Sequence, residues 1–133
     1  MLGINAPHVK FALSVVLLSV LLPACDRPDP KSRNPLVGTW ARTNNGNMTL
    51  AGDGTFHSRW TNFSAKPRID WSYDGTWDVE QGFLVCVITN AEARNTTNAA
   101  AVGSVERYSI VRVDKNELVT ESGGQTNSFE RRW

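Results

Sequence analysis

The chain is poor in the residues from which most small catalytic or metal sites are built. Its 133 residues include two cysteines and two histidines, and the first of each, Cys25 and His8, precede residue 26. Two cysteines make no disulfide framework, and one remaining histidine, His57, supplies neither a two-histidine metal site nor a nucleophile–base pair with any neighbouring motif. No catalytic residue, metal ligand or cofactor is therefore assigned. An excess of positive charge is also missing, with 14 basic residues against 13 acidic. The densest basic spots are Arg131-Arg132 and the pair Lys66 and Arg68, too sparse for the clustered charge of a nucleic-acid binder. Beyond Pro35 no segment of ten or more residues carries a 3.6-residue apolar period, which excludes a helical body.

What is present begins with a short apolar block. Phe11 to Leu22 is broken only by Ser14 and Ser19 and is preceded by His8 and Lys10. At twelve residues it is too short for the roughly twenty that span a bilayer as a helix, and it fits the core of a secretory signal. Leu22-Pro23-Ala24-Cys25 follows, an apolar residue and a small one ahead of a cysteine, which resembles the lipobox of bacterial lipoproteins. The resemblance implies cleavage after residue 24 and acyl groups, palmitate among them, on Cys25, whose thiolate is the side chain best suited to that attack. Two or more acyl chains hold a protein on a membrane where one holds it only marginally. The competing reading is an ordinary secretory signal with a chance cysteine. Removal of residues 1–24 takes Lys10 and no acid, leaving a chain with no net charge.

Residues 26–35, DRPDPKSRNP, hold three prolines and no large apolar side chain, so they form a tether rather than a packed element. Asp26, directly after the cysteine, resembles the signal that retains some bacterial lipoproteins at the inner membrane, and it leans the localisation of this envelope protein that way. Three regions result: a signal peptide, 1–24; the lipidated cysteine and tether, 25–35; and one domain, 36–133.

The domain reads as all-β. In IDWSYDGTWDVE, residues Ile69, Trp71, Tyr73, Trp77 and Val79 share one parity, while Asp70, Ser72, Asp74, Thr76 and Asp78 share the other. Asp74-Gly75 has the composition of a hairpin turn, but the unbroken parity favours one long strand bent at the glycine. Phe56, Ser58 and Trp60 alternate in the same way with Thr55, His57 and Arg59 after the turn residues AGDG. The runs between turn signals predict eight strands, at 36–43, 47–51, 54–62, 68–80, 83–89, 105–113, 117–122 and 126–132. Short connections make a meander, and eight strands can close and abolish exposed edges, so a small up-and-down barrel is expected, with an open sandwich as the alternative. Cys86 lies in the apolar run FLVCVIT and is expected to be a buried hydrophobe. Residues 90–104 read as a long polar loop, mobile rather than a lid, with room for a helical turn at 91–94.

NPLVGTW places Gly38 and Trp40 on the first expected strand, and this is similar to the Gly-x-Trp signature that opens the barrel of lipocalins and of lipocalin-like domains in bacterial lipoproteins. The resemblance implies a lipocalin-like barrel in which an arginine of the last strand, Arg131 or Arg132, packs across Trp40. It also implies an internal site for a small apolar ligand, for which Phe56, Trp60, Trp71, Tyr73 and Trp77 are the candidate lining. The alternative is a barrel filled by its own side chains, acting as a structural or partner-binding module of the envelope. Either role is non-catalytic. Spaced carboxylates at Asp70, Asp74 and Asp78 read as solvated surface rather than as a calcium site or acid pair.

Overall fold

The structure is a computed structural model that describes residues 33–43 and 45–133; the expected signal segment, Cys25 and the tether up to residue 32 lie outside the described residues. A single 3-10 turn, Asn34–Leu36, leads into eight strands: β1 Gly38–Arg42, β2 Gly46–Leu50, β3 Thr55–Asn62, β4 Ile69–Glu80, β5 Phe83–Arg94, β6 Val105–Val113, β7 Glu117–Ser122 and β8 Gln125–Arg132. Each pairs antiparallel with its neighbour in sequence, and β8 returns to β1 through Thr39↔Arg132, Trp40↔Arg131 and Ala41↔Glu130. The result is a closed up-and-down barrel. Closure pairs the backbone groups that an open sheet would leave at its edges, and it excludes the sandwich alternative.

The alternation in β4 has the expected outcome. Trp77 is buried while Thr76 and Asp78 are exposed, and the strand runs unbroken from Ile69 to Glu80. Its register against β5 shifts between Asp74 and Gly75. A Cβ on Gly75 would lie 1.9 Å from the Val87 carbonyl oxygen and 2.6 Å from a Phe56 ring carbon, so only glycine permits the two strands and the ring to meet there.

The strand β5 is longer than expected. It continues to Arg94, so residues 91–94, read as room for a helical turn, are extended, and the connection to β6 shrinks to 95–104. The reason lies across the ladder, where Ala91 pairs with Tyr73 and Ala93 with Trp71. Small side chains on the inward parity leave space for the two large rings opposite. An alanine-rich stretch with good intrinsic helix propensity is thereby held as strand by tertiary pairing.

The two ends of the barrel differ. One carries the 3-10 turn, the connections 51–54, 81–82 and 114–116, and the end of β8. The core fills this half: Leu36, Trp40, Leu50, Leu84 and Leu118 are wholly buried, each contributing about 1.5–3 kcal/mol. Trp40 Nε1 donates to the Leu36 carbonyl at 2.7 Å and Trp77 Nε1 to that of Ala51 at 2.9 Å, so both indoles are satisfied where they are buried. The other end carries the β1–β2 connection and the loops 63–68, 95–104 and 123–124, and here the packing is incomplete.

Candidate functional site

Inside the open half lies a cavity of about 190 Å³. One wall is apolar, formed by Met48 of β2, Phe56 and Trp60 of β3, Leu84 of β5 and Phe129 of β8. Trp60 and Phe129 meet edge to face with ring centres 6.1 Å apart, which ties β3 to β8 across the barrel. The polar lining is Glu106 and Tyr108 of β6 and Thr120 of β7, with Ser58 and Asn127 set among the apolar groups of β3 and β8, and Arg42 stands at the mouth. The choice between a hollow barrel and one filled by its own side chains therefore has a divided answer. The closed half is filled and the open half is hollow.

The polar wall has internal order. Glu106 and Tyr108 share the inward parity of β6 with Ile110, and the Tyr108 hydroxyl donates to the Glu106 carboxylate. Burial, with the neighbouring Glu106 charge, raises the Tyr108 hydroxyl well above the ordinary tyrosine range, so it remains a donor at neutral pH. Cys86 faces the same space. Burial and the same carboxylate push its thiol up to about 12, which makes it a neutral wall group rather than a nucleophile. Thr120 is 1% exposed, and its hydroxyl has no hydrogen-bond partner among the described residues. A buried hydroxyl without a partner costs about 1–3 kcal/mol.

Of the residues expected to line a pocket, Phe56 and Trp60 do so. Trp71, Tyr73 and Trp77 do not border this cavity, although all three share the inward parity of β4, and Trp71 instead borders two open clefts on the outside of the barrel. Parity fixes the face and leaves the height along the barrel undetermined. Trp77 lies in the closed half beneath Arg33, whose guanidinium is 4.9 Å from its ring. Trp71 and Tyr73 sit at the mouth and hold the connection 95–104: Trp71 Nε1 donates to the Asn98 carbonyl at 2.9 Å, and the Ala100 amide donates to the Tyr73 hydroxyl at 3.3 Å. Asn95 Nδ2 donates to the Arg68 carbonyl at 2.6 Å, and Gly103 and Ser104 exchange backbone bonds with Ile88. The segment expected to be a mobile loop is thus tied to β4 and β5 at several points. Glu106, Tyr108 and Thr120 were not singled out in the sequence. A carboxylate on the same parity as Tyr108 and Ile110 in VERYSI was the available sign.

At the closed end Arg131 lies over Trp40, its guanidinium 4.1 Å from the ring centre, while Arg132 is on the outward parity and exposed. Gly38 beside them leaves no space for a side chain, since its Cβ would fall 2.3 Å from Arg131 Nη1. On the outer surface His57 Nδ1 and Asp74 Oδ1 lie 2.5 Å apart, a pairing the sequence did not suggest. The His57 hydrogen bond holds the Asp74 carboxyl below the usual carboxylate range, with Asn90 adding to it. The other two carboxylates of β4 are engaged separately, Asp70 with Thr61 and Arg68 and Asp78 with the Val79 amide.

A closed eight-stranded barrel with Gly-x-Trp on its first strand and an arginine from its last strand across that ring decides the comparison. The fold is lipocalin-like. No family model matches the sequence, and no curated protein matches it. Among solved structures the chain is similar to a lipocalin-like protein from Bacteroides uniformis, with 10% identity, a TM-score of 0.53 and coverage of 74% of this chain and 99% of that one. It is also similar to an uncharacterized protein from Bacteroides eggerthii, with 10% identity, a TM-score of 0.51 and coverage of 73% and 99%. At that identity the likeness speaks for the lipocalin-like fold and for nothing finer.

Proposed function

We propose that this protein is a lipid-anchored component of the bacterial cell envelope, non-catalytic, whose barrel binds a small apolar molecule. The observation that carries the binding role is the cavity of about 190 Å³ behind the mouth, where Trp60, Phe56 and Phe129 face an unpartnered Thr120 hydroxyl. Apolar walls supply affinity, and a few converging polar groups fix orientation. Size limits the guest. An apolar cavity of about 150 Å³ holds one benzene ring, so this one takes a ring with a short substituent or a compact alkyl group rather than a long-chain lipid.

The anchor reading rests on Leu22-Pro23-Ala24-Cys25 and on the tether after it. The chain enters the barrel at its closed end, through Arg33 and the turn at Asn34–Leu36. A tether arriving there directs the mouth away from the membrane, and Asp26 favours the inner membrane as the site of attachment.

Tryptophan fluorescence tests the binding role. Single-ring compounds are expected to shift the emission, and Ser58→Leu, which fills the cavity, is expected to abolish the shift; no response from any of them sinks the role. Labelled palmitate incorporation tests the anchor. Cys25→Ala should lose both the label and membrane attachment, and attachment that survives it excludes lipidation.

A second reading, a docking module for another envelope protein, draws on Phe63 and Val102, which are 62% and 65% exposed on loops at the mouth.

A further inference from the structure

The charge inside the cavity narrows the class of ligand. Glu106 is the carboxylate of the polar wall, and among the described residues it accepts from the Tyr108 hydroxyl and forms no ion pair. A carboxylate offers about four acceptor positions, so most of its capacity is unused among the described residues. Its other neighbours are no substitute for a cation. The Cys86 thiol stays neutral far above pH 7 and adds no positive charge. Arg42 is exposed at the end of β1, where water solvates it, and lies on the outer rim of the space rather than against its floor.

Opposite the carboxylate stand the rings of Trp60, Phe56 and Phe129. Aromatic faces attract a cation as well as an apolar body, and they do so more strongly where water is excluded. Thr120 Oγ1, 1% exposed and without a partner, adds an acceptor at the same wall. A carboxylate, an unused hydroxyl and three rings around a volume of about 190 Å³ are complementary to one kind of molecule.

We propose that the barrel cavity is a site for a small primary amine, its ammonium held by Glu106 and Thr120 and its single ring or compact alkyl body seated against Trp60, Phe56 and Phe129. This rests on the reading that the barrel binds a ligand, and it names the ligand's class. The same placement repels fatty acids and other carboxylates, which would bring a second negative charge against Glu106 in a space poorly screened by water.

Three isosteric probes test it on the purified full-length chain at pH 7: 2-phenylethylamine, 2-phenylethanol and phenylacetate, followed by calorimetry. The amine should bind at least about tenfold more tightly than the alcohol, the ratio expected of one charge-assisted hydrogen bond, and phenylacetate should bind more weakly than either. Glu106→Gln should bring the amine to within about twofold of the alcohol measured on the same variant. Should that variant not fold, Tyr108→Phe keeps the carboxylate and frees one of its acceptor positions, so the amine preference must persist in it. Equal binding of amine and alcohol by the unaltered chain overturns the amine assignment and leaves the binding role standing. So does a preference that survives Glu106→Gln, or phenylacetate binding best. Failure of all three probes overturns the binding role together with this inference.

Discussion

The Arg131 guanidinium lies 4.1 Å from the centre of the Trp40 ring, and its terminal nitrogens donate to the carbonyls of Val37 and Pro35 at 2.6 and 2.7 Å. One side chain from the end of the domain therefore stacks on β1 and ties down the segment that precedes it. Arg131→Ala loses a cation–π contact and two charge-assisted hydrogen bonds, and should cost about 2 kcal/mol in urea unfolding. Arg132→Ala, on the outward parity, should change stability by less than about 0.5 kcal/mol. Equal effects of the two would show that Arg131 does not close the barrel.

Gly75 is the second point where the fold depends on one residue. With a Cβ 1.9 Å from a carbonyl oxygen of β5, Gly75→Ala forces the β4–β5 ladder apart at its register shift. The expected loss is about 3 kcal/mol, at the upper end for overpacking because backbone rather than a flexible side chain must yield. Chemical denaturation checks it; a loss below about 1 kcal/mol would mean that the strand bends elsewhere.

These two sites also mark what was legible in the sequence. Alternation in β3 and β4 fixes which side chains face inward, and turn residues fix where strands end, so the strand count and the closed barrel were readable. Gly-x-Trp pointed to Trp40 and to an arginine at the far end of the chain. Height along the barrel was not readable, because it depends on how each strand is staggered against its neighbours. Trp77 therefore fills the closed half, Trp71 and Tyr73 hold the mouth, and Phe56 and Trp60 alone of that group line the cavity. Ala91 and Ala93 misled for a related reason: their role is to make space for rings on another strand, which local propensity does not encode.

Alkaline pH should weaken the domain. The Cys86 thiol rises from 9.0 to about 12 in the folded state, and the Tyr108 hydroxyl also rises from its ordinary 10.0. Above pH 9 the unfolded chain releases protons that the folded barrel retains, so stability present below pH 9 is lost as pH climbs toward 12. Two pH units beyond the thiol's unfolded value correspond to roughly 2–3 kcal/mol from Cys86. Urea midpoints measured from pH 7 to 11 should fall, and Cys86→Ala should flatten the decline. A slope unchanged in both Cys86→Ala and Tyr108→Phe would assign the effect to other groups.

The connection 95–104 should control entry to the cavity. Its bonds to Trp71 and Tyr73 of β4 hold it at the open end of the barrel, and Cys86 in the cavity wall reports on access from outside. Replacing both anchors with phenylalanine removes the indole N–H to Asn98 and the hydroxyl that receives the Ala100 amide while preserving most of the apolar contact. The closed half, where the large buried core lies, is untouched, so global stability should fall by no more than about 1–2 kcal/mol. Local opening needs less free energy than global unfolding, and weakening the loop's attachments lowers that smaller barrier first. In a Cys25→Ser background, Trp71→Phe with Tyr73→Phe should therefore speed modification of Cys86 by a small thiol reagent by about tenfold, at a pH where the wild-type rate is measurable. The Ala100 amide should lose exchange protection in parallel, while amides in β1 and β8 keep theirs. Faster labelling with intact protection in β1 and β8 can arise only from opening at the mouth, whereas an unchanged labelling rate would mean that the path to the cavity does not run beneath this loop.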